Sequence, residues 1–222
     1  MEEPVSHVYA PGCALMLYKP HLSARVLGVL EQELGAPVPE HLTCCHHDPG
    51  LPEGSSIVNT CAGCDRRYRG LYEGISTVSL WEILAESTTF SFPDYAGAEM
   101  TVHDACPTRT ETHVHDAVRT LLARMNVGVV EAERTRTEAV CCGDSLFGSV
   151  PDARVEAQMR KRADQMPRED VVVYCVSCVK AMHVGGKRPR YLVDLLFGED
   201  TVPGTAEPTE WHAQLDGFIA AH

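Results

Sequence analysis

What most constrains this chain is the arrangement of its ten cysteines. They stand at 13, 44, 45, 61 and 64, and again at 106, 141, 142, 175 and 178. Both sets keep one order: a lone Cys, an adjacent pair, then C-x-x-C. The surroundings repeat as well. Val8-Tyr-Ala-Pro-Gly-Cys13 and Thr101-Val-His-Asp-Ala-Cys106 each read as a short strand ending in a loop with a thiol at its tip. An amphipathic helix is predicted after each, carried by Leu22, Val26, Val29, Leu30 and Leu34 in one copy and by Val114, Val118, Leu121, Leu122 and Met125 in the other. Ile57-Val-Asn-Thr before Cys61 matches Val171-Val-Val-Tyr before Cys175, as a buried strand running into C-x-x-C. Leu80-Trp-Glu-Ile-Leu corresponds to Leu192-Val-Asp-Leu-Leu. The chain reads as an internal duplication of roughly 100 residues per copy.

Strands alternating with helices predict an α/β fold of two duplicated, Rossmann-like cysteine-rich halves, each with a short parallel sheet, related by a pseudo-two-fold. The first copy is expected over 1–90 and the second over 101–200, with 91–100 as linker; the aperiodic stretch from Ser87 to Ala98, with Phe90, Phe92, Pro93 and Gly97, carries that assignment. A C-terminal arm is expected over 201–222. Pro203 and Pro208 suggest an extended lead, and Trp211, Leu215, Phe218 and Ile219 a short docking helix. In open α/β sheets, sites form at the carboxyl ends of strands. Cys13, Cys61, Cys106 and Cys175 all follow predicted strands, so the thiols should gather there. The second copy has an extra predicted helix over 153–166, with Val155, Met159, Ala163 and Met166 on one face. The first copy has only 15 residues, 46–60, between its cysteine pair and Cys61, which leaves no room for that helix.

Charge and compartment narrow the partners. The 31 acidic and 19 basic side chains give a formal charge of -12, with no Lys/Arg-rich run, which argues against nucleic acid and anionic membranes. Met1-Glu-Glu-Pro lacks the layout of a signal peptide, and no apolar stretch reaches the length of a membrane span. A cytoplasmic setting is expected, where thiols stay reduced and clustered cysteines read as metal ligands or redox groups.

Several chemistries use cysteines in this pattern. Disulfides suit the even number but not the compartment. A thioredoxin-like pair needs fewer thiols than are here. Structural zinc takes four ligands, so zinc in each half leaves one thiol over each time. Iron–sulfur clusters also take thiolate, and a polynuclear cluster can use a fifth sulfur as a bridge. Gly143, directly after Cys141-Cys142, gives the backbone freedom for a tight turn presenting both sulfurs.

Cys106, then Cys141-Cys142-Gly143, then Cys175-Val-Ser-Cys178, with intervals of 34 residues (107–140) and 31 residues (144–174), resembles the CCG cysteine-rich motif. That motif is found in the heterodisulfide reductase B subunit and in iron–sulfur subunits of enzymes oxidising glycolate, lactate and glycerol-3-phosphate. The resemblance implies a non-cubane 4Fe-4S cluster in each copy, held by Cys13, Cys44, Cys45, Cys61 and Cys64 and by Cys106, Cys141, Cys142, Cys175 and Cys178. It also implies a cleft between two clusters in which a disulfide is reduced. The first copy departs from the motif: Cys44-Cys45 is followed by His46, and the next interval is shortened. A cubane cluster, zinc or altered ligation stay open there.

Around the cysteines, His46, His47 and His103 are candidate proton donors. His46-His-Asp-Pro-Gly also reads as a turn. Asp104 is expected to cap a helix starting near Pro107. Lys180, next to the second C-x-x-C, reads as a solvated lysine, with pairing to a cluster or substrate charge as the other reading. Gly185-Gly-Lys-Arg lacks phosphate-loop spacing, and no G-x-G-x-x-G is present, so no flavin or nicotinamide site is expected. Three functions compete. The first is an oxidoreductase reducing a disulfide by one-electron steps. The second is an electron-transfer subunit between a flavoprotein and a carrier. The third is a zinc-binding structural module. The first two need a ferredoxin-like or flavoprotein electron donor.

Overall fold

Short apolar runs bounded by turn residues form the strands, as the sequence pattern requires. The computed structural model describes residues 6–222; the acidic start, Met1-Glu-Glu-Pro, lies outside the described residues. β1 (His7–Ala10), β2 (Ser56–Asn59) and β3 (Ser76–Ser79) form a parallel sheet in the order β1-β2-β3. β4 (Ala98–His103), β5 (Val127–Val129), β6 (Asp170–Val173) and β7 (Arg188–Tyr191) form a second parallel sheet in the order β5-β4-β6-β7. On the first sheet a single parallel bridge joins Tyr9 to Glu40. It occupies the place beside β1 that β5 occupies beside β4, so the two sheets repeat one strand order. β4 begins at Ala98, inside the stretch read as linker.

Nine helices follow among the described residues: α1 (Gly12–Tyr18), α2 (Pro20–Leu34), α3 (Ala62–Leu71), α4 (Leu80–Glu86), α5 (Thr112–Arg124), α6 (Asp152–Ala163), α7 (Val176–Val184), α8 (Leu192–Phe197) and α9 (Pro208–Ala221). The stripes on α2 and α5 fall where the periodicity puts them: Leu22, Val26 and Leu30 are buried, as are Val114, Val118, Leu121 and Leu122. Met125 at the end of α5 is buried as well. α6 is the extra helix of the second half, with Val155, Met159 and Ala163 inward. Cys13 lies in the first turn of a helix rather than in a loop: α1 starts at Gly12 and ends at Tyr18, and Pro20, with its fixed φ, opens α2. The helix expected near Pro107 is a single 3-10 turn, Cys106–Thr108.

One apolar core runs through both halves, and β2 and β6 supply its fully buried members Val58, Val171, Val172 and Val173; Ile57 of β2 is buried in a second, smaller cluster with Cys44 and Cys45. α4 of the first half packs on α5 of the second. Across the same junction Lys19 Nζ sits 2.7 Å from Asp194 Oδ1, and Tyr18 donates to Asp194 Oδ2 at 2.6 Å. Residues 87–97 have no regular structure yet are pinned: Ser87 Oγ accepts from the Thr89 and Phe90 amides, and Phe90 packs edge-on to Phe92 and Phe197. The C-terminal arm docks through α9, where buried Trp211 donates to Ser177 Oγ at 3.0 Å. No helix among the described residues is long and apolar enough to cross a membrane.

Candidate metal centre

Parallel strands point their carboxyl ends the same way, and the loops leaving them carry the thiols. Cys13 and Cys61 follow β1 and β2; Cys106 and Cys175 follow β4 and β6. Both C-x-x-C motifs sit alike. Cys61 is the N-cap of α3 and Cys64 lies in its first turn; Cys175 is the N-cap of α7 and Cys178 lies in its first turn. The backbone N–H groups and dipole at a helix N-terminus favour thiolate there.

A hydroxyl ties the two loops together in each half. Thr60, just before Cys61, donates to the Pro11 carbonyl at 2.9 Å. Tyr174, just before Cys175, accepts from the Ala105 amide at 3.0 Å. Gly12 permits the close approach in the first half. Its φ is +77°, and an added Cβ would lie 3.2 Å from Cys64 Sγ. In the second half Gly143 turns the chain behind Cys141-Cys142 with φ +116°, and an added Cβ would meet Met159 N and Val155 O of α6 at 3.1 Å. The Cys44-Cys45-His46 turn closes without glycine, through the His47 amide donating to Cys44 O at 2.8 Å.

All ten cysteines are free. Their side chains form one run in which each thiol interacts with the next. It passes from Cys13 through Cys44, Cys45 and Cys64 to Cys61. Cys61 then meets Cys175 of the other half, and the run continues through Cys178, Cys142 and Cys141 to Cys106. Sulfur separations are 3.6 Å for Cys178–Cys142 and 3.5 Å for Cys106–Cys141. A cavity of about 260 Å³ is lined by nine of these residues; the tenth, Cys44, faces a smaller gap beside Phe218 of α9. Arg66, Arg67, Asp144, Ser145, Ser177, His46 and Leu215 are also among the lining residues of the larger cavity.

The thiols titrate against one another. Contacts with Cys106 and Cys142 hold Cys141 far below the usual thiol range, and contact with Cys141 pushes Cys106 up. Contacts with Cys175 and Cys64 lower Cys61, while contacts with Cys45 and Cys61 raise Cys64. Burial raises Cys13. Neighbouring sulfurs therefore share protons, and ten adjacent thiolates can coexist only if bound cations compensate their charge. A thiolate-ligated metal fits this donor set.

The histidines separate. His46 lines the cavity, and burial, then Arg67 and His47, lower its pKa. His47 is turned to the C-terminal arm, its Nε2 bonded to the Ile219 carbonyl at 2.8 Å. His103 is fully buried behind Cys142 and Cys178; a ring nitrogen and the two Sγ atoms lie within 4.8 Å of one another.

Two expectations are corrected. Asp104 caps no helix. It is buried and bound by both Arg119 guanidinium nitrogens at 2.7 and 2.9 Å, by the Arg136 amide at 2.8 Å and by the Tyr174 hydroxyl at 3.1 Å. Despite burial, Arg119 and the Arg136 amide draw its pKa down to about 2. Asp104 thus fixes the start of the Cys106 loop. Lys180 is not solvated: it is buried, its ammonium bonds the Pro203 carbonyl and lies 4.8 Å from the Trp211 ring centroid. Burial lowers its pKa.

Sequence reasoning passed over Arg66 and Arg67. Both follow the first C-x-x-C within one helical turn, and neither has a carboxylate partner among the described residues. Arg162 was also passed over, since nothing local marks a basic residue on a polar helix as buried.

The fold and the thiol-lined cavity define an α/β protein with a cysteine cluster suited to binding metal. Residues 100–183 match the family model of the cysteine-rich CCG domain. No curated protein matches the chain.

Proposed function

We propose that this is an iron–sulfur redox protein resembling a stand-alone heterodisulfide reductase B subunit, with one 4Fe-4S cluster per half, non-cubane at the second, that reduces a disulfide in the cavity between them. The observation that carries the reading is the run of ten sulfurs, five from each half and nine of them lining one cavity, with Cys61 against Cys175 at the junction. Thiolate-ligated clusters would supply electrons one at a time.

The chain's own residues do the rest. A disulfide accepts two electrons and two protons and leaves as two thiols. The cavity admits it beside both sets of ligands, so each electron has a short path. His46, beside Cys45 in the cavity wall, is the histidine set to carry a proton to a product thiolate; His47 and His103 stand outside the lining. Arg66 and Arg67 steady the negative charge that builds there. Leu215 of α9 covers part of the cavity against water. A cytoplasmic setting and a ferredoxin-like or flavoprotein donor belong to the same reading.

The test is anaerobic purification followed by a disulfide-reduction assay with a chemical reductant. Iron, sulfide and turnover support the proposal, and absence of iron overturns it. Turnover that appears only with an added flavoprotein, and without disulfide reduction, assigns electron transfer instead.

A further inference from the structure

The last residue of β1 is Ala10 and the last residue of β4 is His103, each three positions before the lone cysteine of its half. At this matched position the second half alone carries a side chain that reaches the ligands. His103 is 0% exposed, and its Nε2 has no hydrogen-bond partner among the described residues. Its Nδ1 accepts from Arg162 Nε at 3.2 Å. Arg162 is also 0% exposed and is held in place by the Arg134 carbonyl at 2.9 Å and Gln165 Oε1 at 2.8 Å. An arginine keeps its proton in a protein and only donates, so Nδ1 must keep its lone pair. The ring proton therefore sits on Nε2, the nitrogen without a partner; a ring nitrogen of His103 and the Cys142 and Cys178 Sγ atoms lie within 4.8 Å of one another.

We infer that His103 is not a metal ligand but a fixed N–H donor to the Cys142 and Cys178 sulfurs, with Arg162 as the residue that sets its tautomer. A metal ligand would need a bare Nε2, and the proton would then move to Nδ1, head-on to the Arg162 N–H. Hydrogen bonds to ligating sulfur stabilise the more negative, reduced state of a centre. His103 thus raises the reduction potential of the second centre, and the first, with Ala10, has no such donor. The inference rests on the metal-centre reading for its consequence but not for its tautomer.

Two measurements on the full chain test it. The first is long-range 15N–1H correlation of His103. A protonated Nε2 with a bare Nδ1 is expected; a protonated Nδ1, or an Nε2 directly bonded to metal, overturns the inference. The second is an EPR-monitored redox titration of the anaerobic protein and its variants. His103→Leu should lower the reduced-to-oxidised ratio of the second centre about tenfold at a fixed potential, equivalent to about 59 mV for one electron. His103→Gln, which keeps an N–H donor, should restore most of it. An unchanged potential in His103→Leu, or equal losses in both variants, overturns the tuning role. If no iron is bound at all, the proposed function falls while the tautomer still reports on His103.

Discussion

The two halves hold their cysteine pairs in different ways. In the second, Gly143 turns the chain tightly against α6, and α6 also supplies Arg162 behind the site. The first has no equivalent helix between its pair and C-x-x-C. There the C-terminal arm takes over: Ile219 of α9 packs on the small cluster containing Cys44 and Cys45, the Cys44 amide donates to the His222 carbonyl at 3.2 Å, and His47 bonds the Ile219 carbonyl. The same five thiols are thus buttressed by a local helix in one half and by a distant one in the other. Where the first half has no helix between its cysteine pair and C-x-x-C, the packing comes from elsewhere in the chain. Burial follows that difference, for Cys44 and Cys45 are both buried whereas Cys141 is partly open.

If the halves are separate centres meeting at Cys61 and Cys175, a ligand change should act on one of them. Cys142→Ser should remove the metal of the second half, more than a hundredfold in affinity, and leave about half of the total metal in place; Cys45→Ser should do the converse. Metal analysis of both variants checks this, and complete loss in either would merge the two into one site.

Asp104 has no carboxylate counterpart in the first half, where Pro11 occupies the matched place. Its pKa is depressed from 3.8 to about 2, so it contributes about 2 kcal/mol of stability, present in full above pH of about 4 and lost as the pH falls through about 2. Asp104→Asn at neutral pH should cost more, about 3–5 kcal/mol, because buried Arg119 keeps its charge without that partner. Denaturant unfolding at pH 7 and pH 3 measures both effects. A variant as stable as the parent would deny Asp104 this role.

Much of this was legible from the sequence and some was not, for identifiable reasons. β2, β6 and the stripes of α2 and α5 depend on local periodicity, which a single chain displays. So does the gathering of thiols at strand ends, because parallel sheets leave few other places for them. The pairing of Asp104 with Arg119, 15 residues on, and of His103 with Arg162, 59 residues on, depends on which helix returns to which strand. No spacing rule encodes that. Lys180 misled because a lysine beside a cysteine motif looks solvated until Trp211, from the far end of the chain, closes over it. α1 escaped notice because seven residues ending before Pro20 are too few to display a period.

Gly143→Ala sharpens the comparison at smaller scale. A Cβ at φ +116°, pressed on the α6 backbone, should cost about 1–3 kcal/mol and weaken metal at the second half about tenfold, while His46→Gly leaves the first half within about 0.5 kcal/mol. Calorimetry with metal titration separates the two, and equal effects would show that the turns are built alike. Ending the chain after Asp216 removes Phe218, Ile219 and His222 but keeps Trp211. Alkylation of Cys44 and Cys45 should then accelerate about tenfold, with Cys142 and Cys178 unchanged. Mass spectrometry of the labelled protein reads this directly; uniform acceleration would mean that α9 supports the whole molecule rather than the first half.

The most direct test of the central claim is the iron, zinc and acid-labile sulfide content of the anaerobically purified protein, taken with its EPR spectrum. Two iron–sulfur centres predict iron and sulfide in near-equal amounts, little zinc, and two distinguishable signals on oxidation or reduction. Zinc without sulfide, or a protein free of metal with its cysteines paired as disulfides, would contradict the account.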